Sequence, residues 1–249
     1  MGCVSSTAAA SESHQSRSST PRKQVPQQGR TQTAARSTVR DTRAVGPARR
    51  VLNVLRVRTS PRDEGHGSLS RKLGNAFFER LEKKAATHNV KVVTVVRDLA
   101  ASPLPHLNQE FAEKGFAFAG AMPVSSELSN EIKAADVVVI ESPVHNFFVP
   151  ASLKLWYDLA LTAGVAFEYR EDGPHGLLGD KKFVLLQSSG ATPVDAPINY
   201  ATQHFDFLIG KIAGGQILAK LGALAQGGDE SFDATVDAFD DSVFVKLFA

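Results

Sequence analysis

From residue 136 to residue 169 the chain reads DVVVIESPVHNFFVPASLKLWYDLALTAGVAFEY, and few folds accommodate residues in that order. Four consecutive Val or Ile residues behind Asp136 are too short and too β-branched a run for a helix, and they lack the alternation of a half-exposed strand. They predict a central strand at 136–141, buried on both faces. The next nine residues, 142–150, are bracketed by Pro143 and Pro150, so the backbone N–H groups between them can face a ligand rather than a helix ladder. Leu153, Trp156, Tyr157 and Ala160 then recur at helical spacing, predicting a helix over 151–163 with Gly164 as its C-cap. Strand, irregular loop and helix in succession are the unit of a parallel α/β sheet. Such sheets bind ligands beyond the carboxyl ends of their strands.

The rest of the chain alternates as a doubly wound α/β fold requires. Strands are predicted at 51–57, 90–96, 183–187 and 216–221, and helices at 68–88, 106–118, 125–134, 198–212 and 231–247. Phe167, Glu168 and Tyr169 predict a short added strand before the Gly173-Pro174 turn. No internal repeat is seen. After the first strand the chain reads RTSPRDEGHGSLSR from Arg58 to Arg71, hydroxyls and glycines running into a helix start. Unpaired N–H groups and the positive end of the helix dipole make such a place an anion site, with serine hydroxyls as extra donors. Spacing alone serves an ordinary helix capped by Ser68 equally well.

The near-neutral total charge of +2 hides an asymmetry. Residues 1–50 carry nine Lys or Arg against Glu12 and Asp41, a net of +7, and the remainder carries 19 basic against 24 acidic residues, a net of −5. The first segment has no Leu, Ile, Phe, Trp or Tyr, so it cannot bury enough apolar surface to offset chain entropy and is expected to be a disordered basic tail. The domain is then 51–249. Cys3 is the single cysteine, leaving no thiol in the folded part for a disulfide, a metal cluster or a nucleophile. Nothing in the chain approaches the length of an apolar membrane span. Met1-Gly2-Cys3-Val4-Ser5-Ser6 fits an N-myristoylation pattern at Gly2, with Cys3 as a neighbouring palmitoylation site. Two acyl chains plus a basic arm would hold a protein on the cytoplasmic face of a membrane, so the expected location is cytoplasmic with peripheral membrane association. An organellar transit peptide is the alternative, although the segment lacks the large apolar residues of an amphipathic targeting helix. Without aromatics among its charges, it offers nucleic acid no stacking surface.

The block at 136–190 resembles the FMN-dependent NADH-azoreductases, which are flavodoxin-like quinone reductases formerly labelled acyl carrier protein phosphodiesterases. Pro143-Val144-His145-Asn146-Phe147, Leu153-Lys154, Asp158 and Gly164 follow the family's P-[MVL]-[YW]-N-F and LK-x2-[FLI]-D-x4-G patterns, and the likeness runs through Val165–Tyr169 and Glu171–Leu177 to Lys181-Lys182. It extends back to Val96–Ala100 and Pro103-Leu104-Pro105, covers about 51–210, and weakens beyond Gly210. The resemblance implies a flavodoxin-like five-stranded parallel sheet, FMN with NADH or NADPH as cofactors, a homodimer, and two-electron reduction of quinones or azo compounds in ping-pong order. It places the FMN phosphate against Ser60, Ser68, Leu69 and Ser70, which match an S-x5-7-S-x-S pattern, and the flavin ring against Val144, His145, Asn146 and Phe147. Ser188, Ser189, Gly190 and Ala191 stand for the family's third loop, [SA]-[RS]-G-G-x-Y. His145 departs from the usual Tyr or Trp, Ala191 replaces the second Gly, and the aromatic is missing. Phe116 or Phe118, Phe167 and Tyr169 are expected walls for substrate.

In such an enzyme the chemistry belongs to the flavin, so no catalytic side chain and no metal ligand is expected. Two rivals share the fold. A non-catalytic flavodoxin-like scaffold at a membrane would fit the changes at His145 and Ala191, and a one-electron flavodoxin carrier would show paired aromatics and acidic loops, which are not evident. A hydrolase lacks an activated nucleophile.

Overall fold

A computed structural model of the chain describes residues 49–249. The basic tail over 1–48, with the acylation sites Gly2 and Cys3, lies outside the described residues. The strands are β1 (Arg50–Arg58), β2 (Val90–Asp98), β3 (Val137–Pro143), β4 (Phe167–Arg170), β5 (Gly173–Gly176), β6 (Lys182–Ser189) and β7 (Gln216–Leu224). The helices are α1 (Leu69–Thr87), α2 (Gln109–Glu113), α3 (Pro123–Ala134), α4 (Ala151–Ala160), α5 (Tyr200–Phe205), α6 (Gly228–Asp237) and α7 (Asp241–Phe248).

Five strands form one parallel sheet in the order β2-β1-β3-β6-β7, and β4 and β5 form a separate antiparallel hairpin. Counted within the main sheet this is the 2-1-3-4-5 order of the flavodoxin-like fold. β3 is central, as its unbroken apolar run requires. Val138 and Ile140 join the core shared with α3, α4 and α5, while Val137 and Val139 join the core shared with α1 and α7. The chain leaves β1 outward to β2 and returns past it to β3. The carboxyl ends of β1 and β3 are therefore the switch point, where neighbouring loops diverge and open a crevice.

Several predicted elements need correction. The helix expected over 106–118 shrinks to α2, which Asn108 caps by accepting from Phe111 N–H and which stops before Gly115 at φ +67°. The helix expected from 125 starts earlier, because Pro123 occupies its first turn, where a missing N–H costs nothing. α4 ends at Ala160 and not at a Gly164 cap; Gly164, at φ +84°, instead gives its N–H to Phe167 O at 2.7 Å and starts the hairpin. The helix expected over 198–212 passes from α5 into a π-helix at Asp206–Ile212. Ala213 N–H bonds Leu208 O, a five-residue step that hydrophobic periodicity does not separate from α. The last predicted helix is two, since Asp240 accepts from Ser242 N–H and Val243 N–H and so starts α7 afresh. Arg50, assigned to the tail, is already strand and pairs with Val90.

Candidate active site

Three loops at the carboxyl ends of β1, β3 and β6 converge on one cleft. The first leaves β1 at Thr59, whose N–H and hydroxyl both donate to the Glu141 carbonyl, at 3.1 and 3.0 Å, fastening it to β3. It then turns tightly: Gly67, at φ +76°, donates to Glu64 O, and Ser68 N–H donates to Asp63 O. Ser68 caps α1 by accepting from Arg71 N–H. Leu69 and Ser70 follow in the first turn of α1, where N–H groups have no intrahelical acceptor.

The second loop is tighter than the sequence implied. Val144 N–H donates to Ser188 O at 2.7 Å and His145 N–H to Phe148 O at 2.9 Å, with Phe148 N–H returning to His145 O at 3.0 Å. Those two N–H groups are spent within the protein, contrary to the expectation that 144–147 all face a ligand. Asn146 and Phe147 form the tip of a two-residue turn with φ +50° and +63°, and their N–H groups lie outside these bonds. Positive φ at both central positions is the geometry of a type I′ hairpin, which Asn adopts readily and Phe only with strain. Behind the turn Phe148 packs on the His204 ring with centroids 5.1 Å apart, and His204 lies 5.6 Å from the Tyr157 ring. Burial, reinforced by Lys154, pushes the His204 imidazole below its usual range against the pull of Asp158.

The third loop follows β6. Ser189 Oγ accepts from Thr192 N–H and donates to Thr192 O, and Gly190 O accepts from Gln226 N–H. Buried Asn199 braces the strand, its side-chain amide donating to Gln187 Oε1 at 2.6 Å and to Pro193 O at 2.9 Å.

The cleft encloses about 310 Å³ and brings together Ser60, Ser68, Leu69, Val144, His145, Ser188, Ser189 and Gly190. Ser70, Asn146, Phe147 and Ala191 do not line it. Ser70 turns inward and is buried, and Phe147 points outward with 47% of its surface exposed. Phe116, Phe118, Phe167 and Tyr169 stand elsewhere; Phe167 and Tyr169 pack edge to face at 5.4 Å in the hairpin. Pro61, Arg62, Gly67, Pro143 and Ala225 also line the cleft; the first four lie in loops the sequence marked but were not singled out as contacts. Arg62 was legible as a cation within the anion loop. Ala225 was not, because it arrives from beyond β7 through the fold alone.

A buried charge cluster lies on the other side of the first loop. Arg56 Nε is ion-paired with Glu141 Oε1, Arg58 Nε lies 3.6 Å from Glu141 Oε2, and Asn75 Oδ1 accepts from both arginines at 2.8 and 3.3 Å. The Arg56 guanidinium stacks 4.4 Å above the Phe78 ring. Burial pushes the Glu141 carboxyl up and the Arg56 guanidinium down, and their mutual attraction opposes both shifts. Alongside, Arg71 grips Asp98 through two hydrogen bonds. Burial would push the Asp98 carboxyl up, but Arg71 and the N–H groups of Ala101 and Ala100 outweigh it and hold the carboxyl below its usual range.

The chemistry of the cleft suits a flavin mononucleotide. Serine hydroxyls and a helix N-terminus face one end, as a phosphate needs. A Cβ added at Gly67 or Gly190 would meet no protein atom within 4 Å, so both glycines border open space that a flat ring can approach closely. A profile of the flavodoxin-like fold family matches residues 52–214. The FMN-dependent NADH:quinone oxidoreductase of Azotobacter vinelandii is 36% identical over 167 residues, 64% of this chain and 81% of that one. This chain belongs to that flavodoxin-like family. The FMN-dependent NADH:quinone oxidoreductase of Escherichia coli O157:H7 is 37% identical over 153 residues, 58% of this chain and 74% of that one. The crystal structure of the azoreductase from Bacillus anthracis str. Sterne superposes with a TM-score of 0.64 at 25% identity, covering 80% of this chain and all of that one. In this member of the flavodoxin-like family the cleft lies at the carboxyl ends of β1, β3 and β6, and its three loops fall within the matched residues 52–214.

Proposed function

We propose that this chain is an FMN-dependent NADH:quinone oxidoreductase of the azoreductase type, with residues 51–249 as its oxidoreductase domain. The observation that carries the reading is the convergence of Ser60, Ser68 and Leu69 with Val144, His145 and Ser188–Gly190 on one cleft at the switch point. In this reading Ser60, Ser68 and the first-turn N–H groups of Leu69 and Ser70 hold the phosphate. Val144 and His145 of the turn and Ser188–Gly190 of the third loop wall the ring. When bound, FMN supplies two-electron redox chemistry between NADH or NADPH and a quinone or azo compound. The protein contributes binding, orientation and fixed dipoles.

Assembly as a homodimer belongs to the proposal on the strength of the family resemblance. No helix among the described residues is long and apolar enough to cross a membrane. A cytoplasmic location, with peripheral attachment through acylated Gly2 and Cys3, rests on the sequence pattern of the first six residues.

The test is the visible spectrum of the purified full-length protein after FMN is added and excess removed, followed by anaerobic NADH and then a quinone. Flavin that stays bound, bleaches with NADH and recovers its colour with quinone supports the reading. Flavin that binds but is not bleached would leave a flavodoxin-like binding protein, and flavin that washes away would reject the cofactor.

A further inference from the structure

Two carbonyl groups of the loop that carries Ser60 and Ser68 are held inside the protein by side chains. Thr59 O accepts from Ser152 Oγ at 3.3 Å, and Ser60 O accepts from Arg71 Nη2 at 3.0 Å. A carbonyl oxygen left facing the cleft would repel an anion; held against Arg71, the Ser60 carbonyl is turned into the protein. Arg71 reaches the other serine as well, since its own N–H donates to Ser68 Oγ. The backbone of residue 71 thus holds Ser68, and its side chain holds Ser60.

An ordinary capped helix needs none of this. The Ser68 cap uses only the Arg71 backbone, yet the Arg71 side chain is 6% exposed; a buried guanidinium is costly unless paired, and Nη1 and Nη2 are paired while Nε has no partner. Its pair is Asp98 at the end of β2: Nη1 lies 2.5 Å from Oδ2 and Nη2 lies 2.9 Å from Oδ1, a planar fork that lysine cannot reproduce. Asp98 is itself pinned by the N–H groups of Ala100 and Ala101 at 3.1 and 3.2 Å. The ion pair is neutral as a unit, so its effect on a ligand is orientation of the loop rather than added charge.

We propose that Arg71, clamped by Asp98, is a positioning residue for the cofactor phosphate and makes retention of the flavin depend on that phosphate. The inference rests on the FMN reading above. The Arg71 side chain touches no ligand directly; it acts through the Ser60 carbonyl.

The test compares dissociation constants for FMN and for riboflavin, which lacks the phosphate, by flavin fluorescence in the full-length protein and in Arg71→Met, Arg71→Lys and Asp98→Asn. Thermal melts without flavin run alongside. Wild type is expected to hold FMN far more tightly than riboflavin. Arg71→Met should weaken FMN about tenfold or more while riboflavin stays within about twofold, as expected for losing a charge-assisted contact that serves only the phosphate end. Asp98→Asn should shift the FMN to riboflavin ratio the same way, and Arg71→Lys should fall between. Equal weakening of both flavins, or no change in either, overturns the proposal. If Arg71→Met does not fold, the ratio in the other two variants decides. A wild-type protein that holds neither flavin rejects the FMN reading instead, and this inference falls with it.

Discussion

Gly74 lies where α1 crosses β3, and a Cβ built there would run into the Glu141 carboxylate. In an exposed helix Gly→Ala is favourable by about 1 kcal/mol. Here Gly74→Ala is expected to destabilise by about 2 kcal/mol, because Glu141 is fully buried between Arg56 and Arg58 and cannot move aside; chemical denaturation measures the sign. Phe147 gives the opposite case. A non-glycine residue at φ +63° carries strain of about 1 kcal/mol, and its ring is half exposed. Phe147→Gly should raise the melting temperature slightly and lower quinone reduction, since the turn bearing His145 loses rigidity. His204 sets a pH dependence. Its folded value lies below the ordinary 6.5, so as pH falls through that value the unfolded chain takes up a proton that the folded protein resists. Stability from this residue is intact above pH 6.5 and declines below it toward the folded value, and His204→Leu should flatten the slope of melting temperature between pH 7 and 5.

At the scale of elements, every predicted strand formed, because β-branched runs bounded by turn residues have one stable reading; β5, read as a Gly173-Pro174 turn, formed as well because pairing with β4 holds a Gly-Pro-His-Gly segment extended. Helix ends were harder to read. The break between α6 and α7 and the passage from α5 into a π-helix both preserve hydrophobic spacing, so periodicity runs across them. What stops each element is a particular bond, such as Asp240 accepting two N–H groups. The sheet order also leaves β2 at an edge, with Val93, Val95 and Val96 exposed. An edge rich in valine invites pairing with other chains, and a lysine blunts it. Val95→Lys should reduce concentration-dependent aggregation in light scattering while changing stability by less than about 0.5 kcal/mol.

For the whole molecule, the sheet order is the source of the site. Residues near 60, 145 and 189 become neighbours because β1, β3 and β6 lie side by side and end at one level. A ligand bridging three loops couples them, so FMN at about 100 times its dissociation constant should stabilise by about 2.7 kcal/mol and raise the melting temperature by roughly 5–10 °C. Riboflavin should do so less. Differential scanning fluorimetry with each flavin checks both shifts.

The fold class, the central strand and the three loops were legible in the residues alone, because buried parallel strands, proline brackets and serine-rich helix starts are local patterns with local causes. Family likeness marked the same loops. Tertiary structure alone decided which members of those loops face the cleft. Asn146 and Phe147 are carried past it by a turn beside which Phe148 seats against His204, and Ala225 enters from the turn after β7, far along the chain. It also decided that the N–H groups of Val144 and His145 are spent inside the protein, and that Arg71 and Asp98 meet across 27 residues of sequence. A side chain's direction and partner are set by whatever packs against it, and for these residues the packing partner is distant in sequence.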